Sequence, residues 1–157
     1  KCSMKNMPFP PNSFDLIWSE GAIYILGFEA ALESFRTLLR PKGRIAVSHM
    51  AWLVEDPPQA ALDWMKQEGA FTLHDLENRA IISRQGYRLL KAFTLSAAGW
   101  WDHYLTPLSA RIDKARKETS DEKDLAILNE LDNEIAVHRA HLGSYGYVFY
   151  VAELWSD

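Results

Sequence analysis

The sequence predicts an α/β fold with parallel strands. Three segments predict it: an apolar run at residues 14–19, an amphipathic stretch at 27–40, and a second apolar run at 43–50 centred on Ile45, Ala46 and Val47. Strand, helix, strand in that order is a βαβ unit, whose two strands lie parallel with a right-handed crossover. The chain has 157 residues, 48% apolar, which is enough to bury a core of its own.

Each element has its own signal. Residues 14–19 follow a Pro-rich turn and stop at Ser19, Glu20 and Gly21, as a buried strand bounded by turn residues does. Within 27–40, Phe28, Ala31, Leu32, Phe35, Leu38 and Leu39 recur at three- and four-residue spacing, and Pro41-Lys42-Gly43 stops the helix. Asp56-Pro57-Pro58-Gln59 reads as the next helix start, with Asp56 as cap and Gln59 as capping-box partner. That helix is expected to reach Gln67 and end near Gly69. A second short helix follows Thr72 and closes at Gly86, and residues 87–95 fit a half-buried or exposed strand.

Thr106-Pro107 starts a further helix carrying Leu108, Ile112 and Ala115. Ser120 is the expected cap of another, with Asp121 and Glu122 placed favourably against its dipole. Leu128, Leu131, Ile135, His138 and Leu142 form a seam at alternating three and four, too short to demand a long coiled coil, so this helix packs on its own domain. Gly143 ends it, and residues 145–155, rich in Tyr, Val and Phe, form the last strand. With no internal repeat, low-complexity run or linker, residues 1–157 read as a single domain.

Composition excludes several classes of function. The net charge is −4 and no Lys/Arg stripe is present, which argues against a nucleic-acid partner. The lone Cys2 cannot form an internal disulfide and fits a reducing, cytoplasmic setting. No apolar run is long enough to span a bilayer, so no membrane association is expected. The chain opens at Lys1 and reaches its first strand almost at once, which makes a fragment of a longer protein the expectation.

Ser3, Met4, Met7, Pro8, Phe9, Ser13, Phe14 and Asp15 together resemble the fourth-strand region of class I S-adenosylmethionine-dependent methyltransferases. That family often shows Asp-Ala-x-x-Leu-Pro-Phe-x-x-x-Ser-Phe-Asp ahead of an apolar strand. The order of elements resembles strands four to seven of its Rossmann-like sheet, whose last strand is antiparallel. Residues 96–143, before that last strand, look like a helical insertion or lid over a substrate. Residues 18–24, Trp-Ser-Glu-Gly-Ala-Ile-Tyr, with the terminal Tyr145 to Tyr150 segment, resemble a subgroup related to quinone-biosynthesis methyltransferases. The Gly-rich turn and the ribose-binding carboxylate of the family have no counterpart in these 157 residues. The resemblance therefore implies the C-terminal half of a methyltransferase: S-adenosylmethionine as cofactor of the full-length parent, a small-molecule methyl acceptor, and an inactive fragment when alone.

Residues just past the carboxyl end of a strand line the ligand crevice of an open α/β sheet. That rule selects Ser19, Glu20 and Gly21. Glu20 is the candidate catalytic carboxylate: partial burial would raise its pKa and suit it to proton abstraction, although it could equally bind a substrate amine or cap the next segment. The resemblance implies cofactor contacts at Ser3, Met4, Ser19 and Gly21, with Ser3 and Met4 at the places of the family's Asp-Ala. Tyr24, His49, Trp52, Trp101, His103 and Tyr104 are the candidate substrate-binding residues, the aromatics as a wall that could hold a cation. Aromatics at such spacing more often belong to a core. His138 and His141 are three apart on a helix, but no third metal ligand is evident and a solvated face is the expectation.

A rival from another class is a non-catalytic module that self-associates through an exposed sheet edge. Removal of strand neighbours would leave unpaired backbone groups on residues 14–19, and a homodimer is the expected result. A different Rossmann-type nucleotide enzyme lacks its fingerprint here and ranks last.

Overall fold

The computed structural model describes residues 2–67, 69 and 72–155. The chain divides into two compact units, residues 1–55, 72–94 and 146–157 in one, and 56–71 and 95–145 in the other. The first holds the sheet. Its strands are β1 (Phe14–Ser19), β2 (Leu39–Trp52), β3 (Leu73–His74), β4 (Tyr87–Thr94) and β5 (Tyr145–Leu154), in the order β1-β2-β5-β4, with β3 paired to β2 off that path.

The expected βαβ unit is present. Helix α1 (Phe28–Leu38) connects β1 to β2, which run parallel with Leu16 opposite Arg44 and Ser19 opposite Val47. The last strand, β5, is antiparallel to β4 as expected. The sheet is thus mixed, with helices on the connections.

Helix α1 stops two residues short of the expected Arg40. Pro41 disfavours the helical conformation at Arg40, and Leu39 is already extended at φ −78° and ψ 142°. The turn before β1 closes this helix end. The N–H groups of Asn12 and Ser13 donate to the carbonyls of Thr37 and Leu38 at 3.2 and 2.8 Å. Pro41-Lys42-Gly43, expected as a stop, lies within β2 as an irregularity of register, with Lys42 at φ +63°. A Cβ on Gly43 would stand 2.8 Å from the Arg40 carbonyl oxygen, so glycine is required by close approach.

The buried stripe of α1 is Phe28, Ala31, Leu32, Phe35 and Leu38, as the spacing predicts. With Ile81 and Ile82 of α3 (Asp75–Arg84) it packs on Ile45 and Val47 of β2, Tyr87 of β4, and Val148, Tyr150 and Ala152 of β5. Two buried phenols tie these layers. The Tyr87 hydroxyl donates to the Leu32 carbonyl at 2.9 Å, and that of Tyr150 donates to Asp75 at 2.8 Å. The alternate residues of the sheet stay open: Leu16 is 49% exposed, Trp18 64% and Phe93 46%, the last stacked on Phe149.

The second unit is helical: α2 (Gln59–Gln67), α4 (Ala97–Trp100), a π-helical turn (Trp101–Leu105), α5 (Thr106–Glu118) and α6 (Glu122–His141). The helix expected from Asp56 begins at Gln59, whose amide donates to Asp63 at 2.9 Å instead of closing a capping box. Asp121, not Ser120, caps α6. Its carboxylate accepts from the N–H groups of Lys123 and Asp124, a stronger acceptor than a hydroxyl at the positive end of a helix. Of the expected seam, Leu128, Ile135 and His138 are buried. No helix among the described residues is long and apolar enough to cross a membrane.

Candidate functional site

The carboxyl ends of β1 and β2 bring together part of the expected set. Ser19 is 8% exposed, and its hydroxyl has no hydrogen-bond partner among the described residues. After it the chain turns at Gly21, φ +56°, a left-handed conformation that glycine adopts freely. The Gly21 N–H donates to the Ser48 hydroxyl at 2.8 Å, tying the turn to β2. A Cβ on Gly21 would meet the Tyr147 hydroxyl at 3.7 Å. Burial raises the Tyr147 pKa, and Tyr24 nearby adds to the shift, so the Tyr147 phenol stands at this turn as a neutral hydroxyl.

Glu20 is exposed, so the partial burial expected to make it a strong base is not found. The reason is local: Ser19 takes the inward position at the end of β1 and the next side chain points away from it. His49 lies in the packing of α1 on the sheet, 6% exposed and stacked on Phe28 with ring centroids 4.8 Å apart. Burial lowers its pKa to about 4, which leaves the imidazole neutral. Trp52 is buried at the end of β2, opposite His74 of β3, whereas Tyr24 is exposed.

Ser3 and Met4 sit in a turn. The Ser3 hydroxyl accepts from the Lys5 N–H at 3.2 Å and its carbonyl from the Asn6 N–H at 3.1 Å. Met4 is half-buried against the core.

Trp101, His103 and Tyr104 belong to the helical unit, on the π-helical turn. His103 is exposed, Trp101 is half-buried under the Arg139 guanidinium at 5.5 Å, and the Tyr104 hydroxyl donates to Glu134 at 3.0 Å. The organised group in this unit centres on a residue expected on a solvated face. His138 is 2% exposed, with its Nδ1 3.0 Å from the Tyr145 hydroxyl and the rings of Trp64 and Trp100 against it. Burial lowers its pKa to about 4. The contact of its Nε2 with Glu134 at 3.7 Å is therefore one between a neutral ring and a carboxylate, not a salt bridge. Its place in the apolar seam was the signal for burial; the partners Trp64 and Tyr145, distant in sequence, had none. Among the described residues no three His, Cys, Asp or Glu side chains are placed to hold a metal.

Residues 1–47 match the family model described as methyltransferase domain. No curated protein matches the chain in sequence. Solved structures match it over nearly its full length. A candidate sarcosine dimethylglycine methyltransferase from Galdieria sulphuraria aligns with a TM-score of 0.73 at 17% identity, over 97% of this chain and 57% of that one. The chain has a methyltransferase fold. A second structure of this fold, a phosphoethanolamine N-methyltransferase from Haemonchus contortus in complex with phosphomonomethylethanolamine and S-adenosylhomocysteine, aligns at 0.70 and 13% identity, over 99% of this chain and 36% of that one. The [4+2]-cyclase SpnF aligns at 0.71 and 12%, over 99% and 55%. The chain spans about half, or less, of the length of these structures. The methyltransferase fold thus hosts more than one chemistry, and the fold alone does not choose among them.

Proposed function

We propose that the chain is the C-terminal half of an S-adenosylmethionine-dependent enzyme that methylates a small molecule. The observation that carries this reading is the turn at the end of β1, where an unpartnered buried hydroxyl on Ser19 adjoins the left-handed Gly21. It stands inside the segment that matches the methyltransferase family. Structures of the same fold in complex with S-adenosylmethionine or its demethylated product support the choice of cofactor. The quinone-biosynthesis-like subgroup remains part of the proposal on the strength of residues 18–24 together with residues 145–150.

S-adenosylmethionine supplies an electrophilic methyl group on a sulfonium. In this reading the Ser19 hydroxyl and the backbone at Gly21 hold the methionine end of the cofactor, and Gly21 keeps the approach free of a side chain. The phenols of Tyr24 and Tyr147 face the acceptor. Glu20, being exposed, orients a cationic or hydroxylic acceptor instead of acting as a desolvated base, and alignment of a substrate that is already nucleophilic supplies the rate. The adenine and ribose fall to a glycine-rich segment beyond these residues. Ser3 and Met4 also keep their proposed place beside the adenine on the resemblance of residues 3–15.

The test begins with the reading frame around the codon for Lys1. Its whole product, if it carries an in-frame Gly-rich turn, is titrated with S-adenosylmethionine by calorimetry and assayed for transfer from radiolabelled donor. Glu20→Gln should lower turnover about tenfold or more with cofactor affinity within about twofold. Unchanged turnover would remove Glu20 from the site. A product without the Gly-rich turn that binds no S-adenosylmethionine would favour the second reading, a non-catalytic module that self-associates through the edge of β1. The open position of β1 at one end of the strand order supports that alternative.

A further inference from the structure

The helical unit contains a cleft of about 560 Å³ that the proposed transfer does not use. It is lined by Trp101 and Leu105 of the π-helical turn, Thr106, Ser109, Ala110 and Asp113 of α5, and Arg139 of α6. Its volume lies in the range of small-molecule sites. We propose that it binds a small zwitterion, the carboxylate on Arg139 and the ammonium on Asp113.

The Arg139 guanidinium lies over the Trp101 ring, 5.5 Å from its centroid. Cation–π attraction holds the guanidinium beside the ring, and Arg139 makes no hydrogen bond among the described residues, so its N–H groups can donate to an arriving ligand. Among the described residues neither Arg139 nor Asp113 makes an ion pair, with each other or with a third group. Two opposite charges thus share one cleft without neutralising each other. Thr106, Ser109, Ala110 and Asp113 fall at three- and four-residue spacing on α5, which sets two hydroxyls and the carboxylate along one face. The π-helical turn that presents Trp101 is a costly distortion, of a kind found disproportionately at functional sites.

The charge arrangement selects the ligand class. A simple anion on Arg139 would meet the Asp113 carboxylate, and a simple cation on Asp113 would meet Arg139. A molecule with both charges, spaced by a short carbon chain passing Ala110, satisfies both. The groups are exposed, so the affinity is weak and falls with salt.

A ladder of amino acids measures the spacing: glycine, γ-aminobutyrate and ε-aminocaproate, with caproate and hexylamine as singly charged controls. Binding is followed at low salt through the Trp101 indole and Arg139 side-chain NMR resonances, with no methyl donor present, so the outcome is independent of the transfer reaction. One zwitterion of the ladder should bind at least about fivefold more tightly than either control. Arg139→Gln and Asp113→Asn, both at exposed positions, should each abolish that advantage while leaving the circular dichroism unchanged. Equal binding of a singly charged control, indifference to either substitution, or no shift with any member of the ladder would overturn the proposal.

Discussion

The Tyr145 hydroxyl stands 3.0 Å from Nδ1 of His138, inside a shell formed by Trp64 and Trp100. Burial lowers the pKa of the imidazole and raises that of the phenol, so both are neutral and one tautomer fits. The phenol donates to Nδ1, and Nε2–H points toward Glu134, whose carboxylate also accepts from Tyr104. The polar chain orders the interior of an otherwise apolar helix contact.

Tyr145→Phe removes the donor and leaves a buried imidazole nitrogen without it, at a cost of about 1–3 kcal/mol. Urea unfolding should show the loss. In the double variant with His138→Leu the second substitution should cost less than it does alone, because both ends of the bond are then apolar. Strict additivity of the two would mean that the bond contributes nothing of its own.

His49 and His138 both have folded pKa values near 4 against 6.5 when unfolded. Between those values the unfolded chain binds more protons, so stability rises with pH there. It is complete above about pH 6.5, declines as the pH falls toward 4, and each histidine contributes on the order of 3 kcal/mol at most. Unfolding midpoints measured from pH 7.5 down to 4.5 should fall steeply below pH 6.5. His49→Phe should flatten the profile, and a flat wild-type profile would refute the assignment.

Gly43→Ala forces a methyl group against the Arg40 carbonyl and the Leu39 side chain, 2.8 and 3.0 Å from where it would sit. The loss should be about 1–3 kcal/mol. Gly143→Ala is the control, since nothing lies within 4 Å of its added carbon. Thermal melts should separate the two clearly, and similar melts would deny that the β2 irregularity needs glycine.

Leu16 and Trp18 project from a strand at the end of the strand order. Purified residues 1–157 should self-associate, as apolar surface beside unpaired backbone favours. Sedimentation velocity should show a dimer that Leu16→Ser with Trp18→Ser converts to monomer. A wild-type monomer at high micromolar concentration would exclude the interaction.

The sheet was legible because its signals are local. Phe14 to Ser19 and Ile45 to Val47 are apolar runs between turn residues, and α1 has one apolar stripe. The end of α1 was read too late because Pro41 acts on the residue before it, while the Asn12 and Ser13 N–H groups that close the helix come from a distant turn. In the site, Ser19 and Gly21 followed from the rule of strand ends. Tyr147 did not, because its place beside Gly21 is fixed by strand order, which no local pattern encodes. Asp113 and Arg139 likewise meet only once α5 and α6 have packed.

Strand β5 lies between β2 and β4, yet it follows both in sequence. During synthesis β2 must therefore wait with one flank bare, and β4 with no strand beside it, until every helix of the second unit has left the ribosome. Nascent chains halted before Tyr145 should remain open to proteases across residues 39–52 and 87–94, and protection should arrive at both strands in a single step as residues 145–154 emerge.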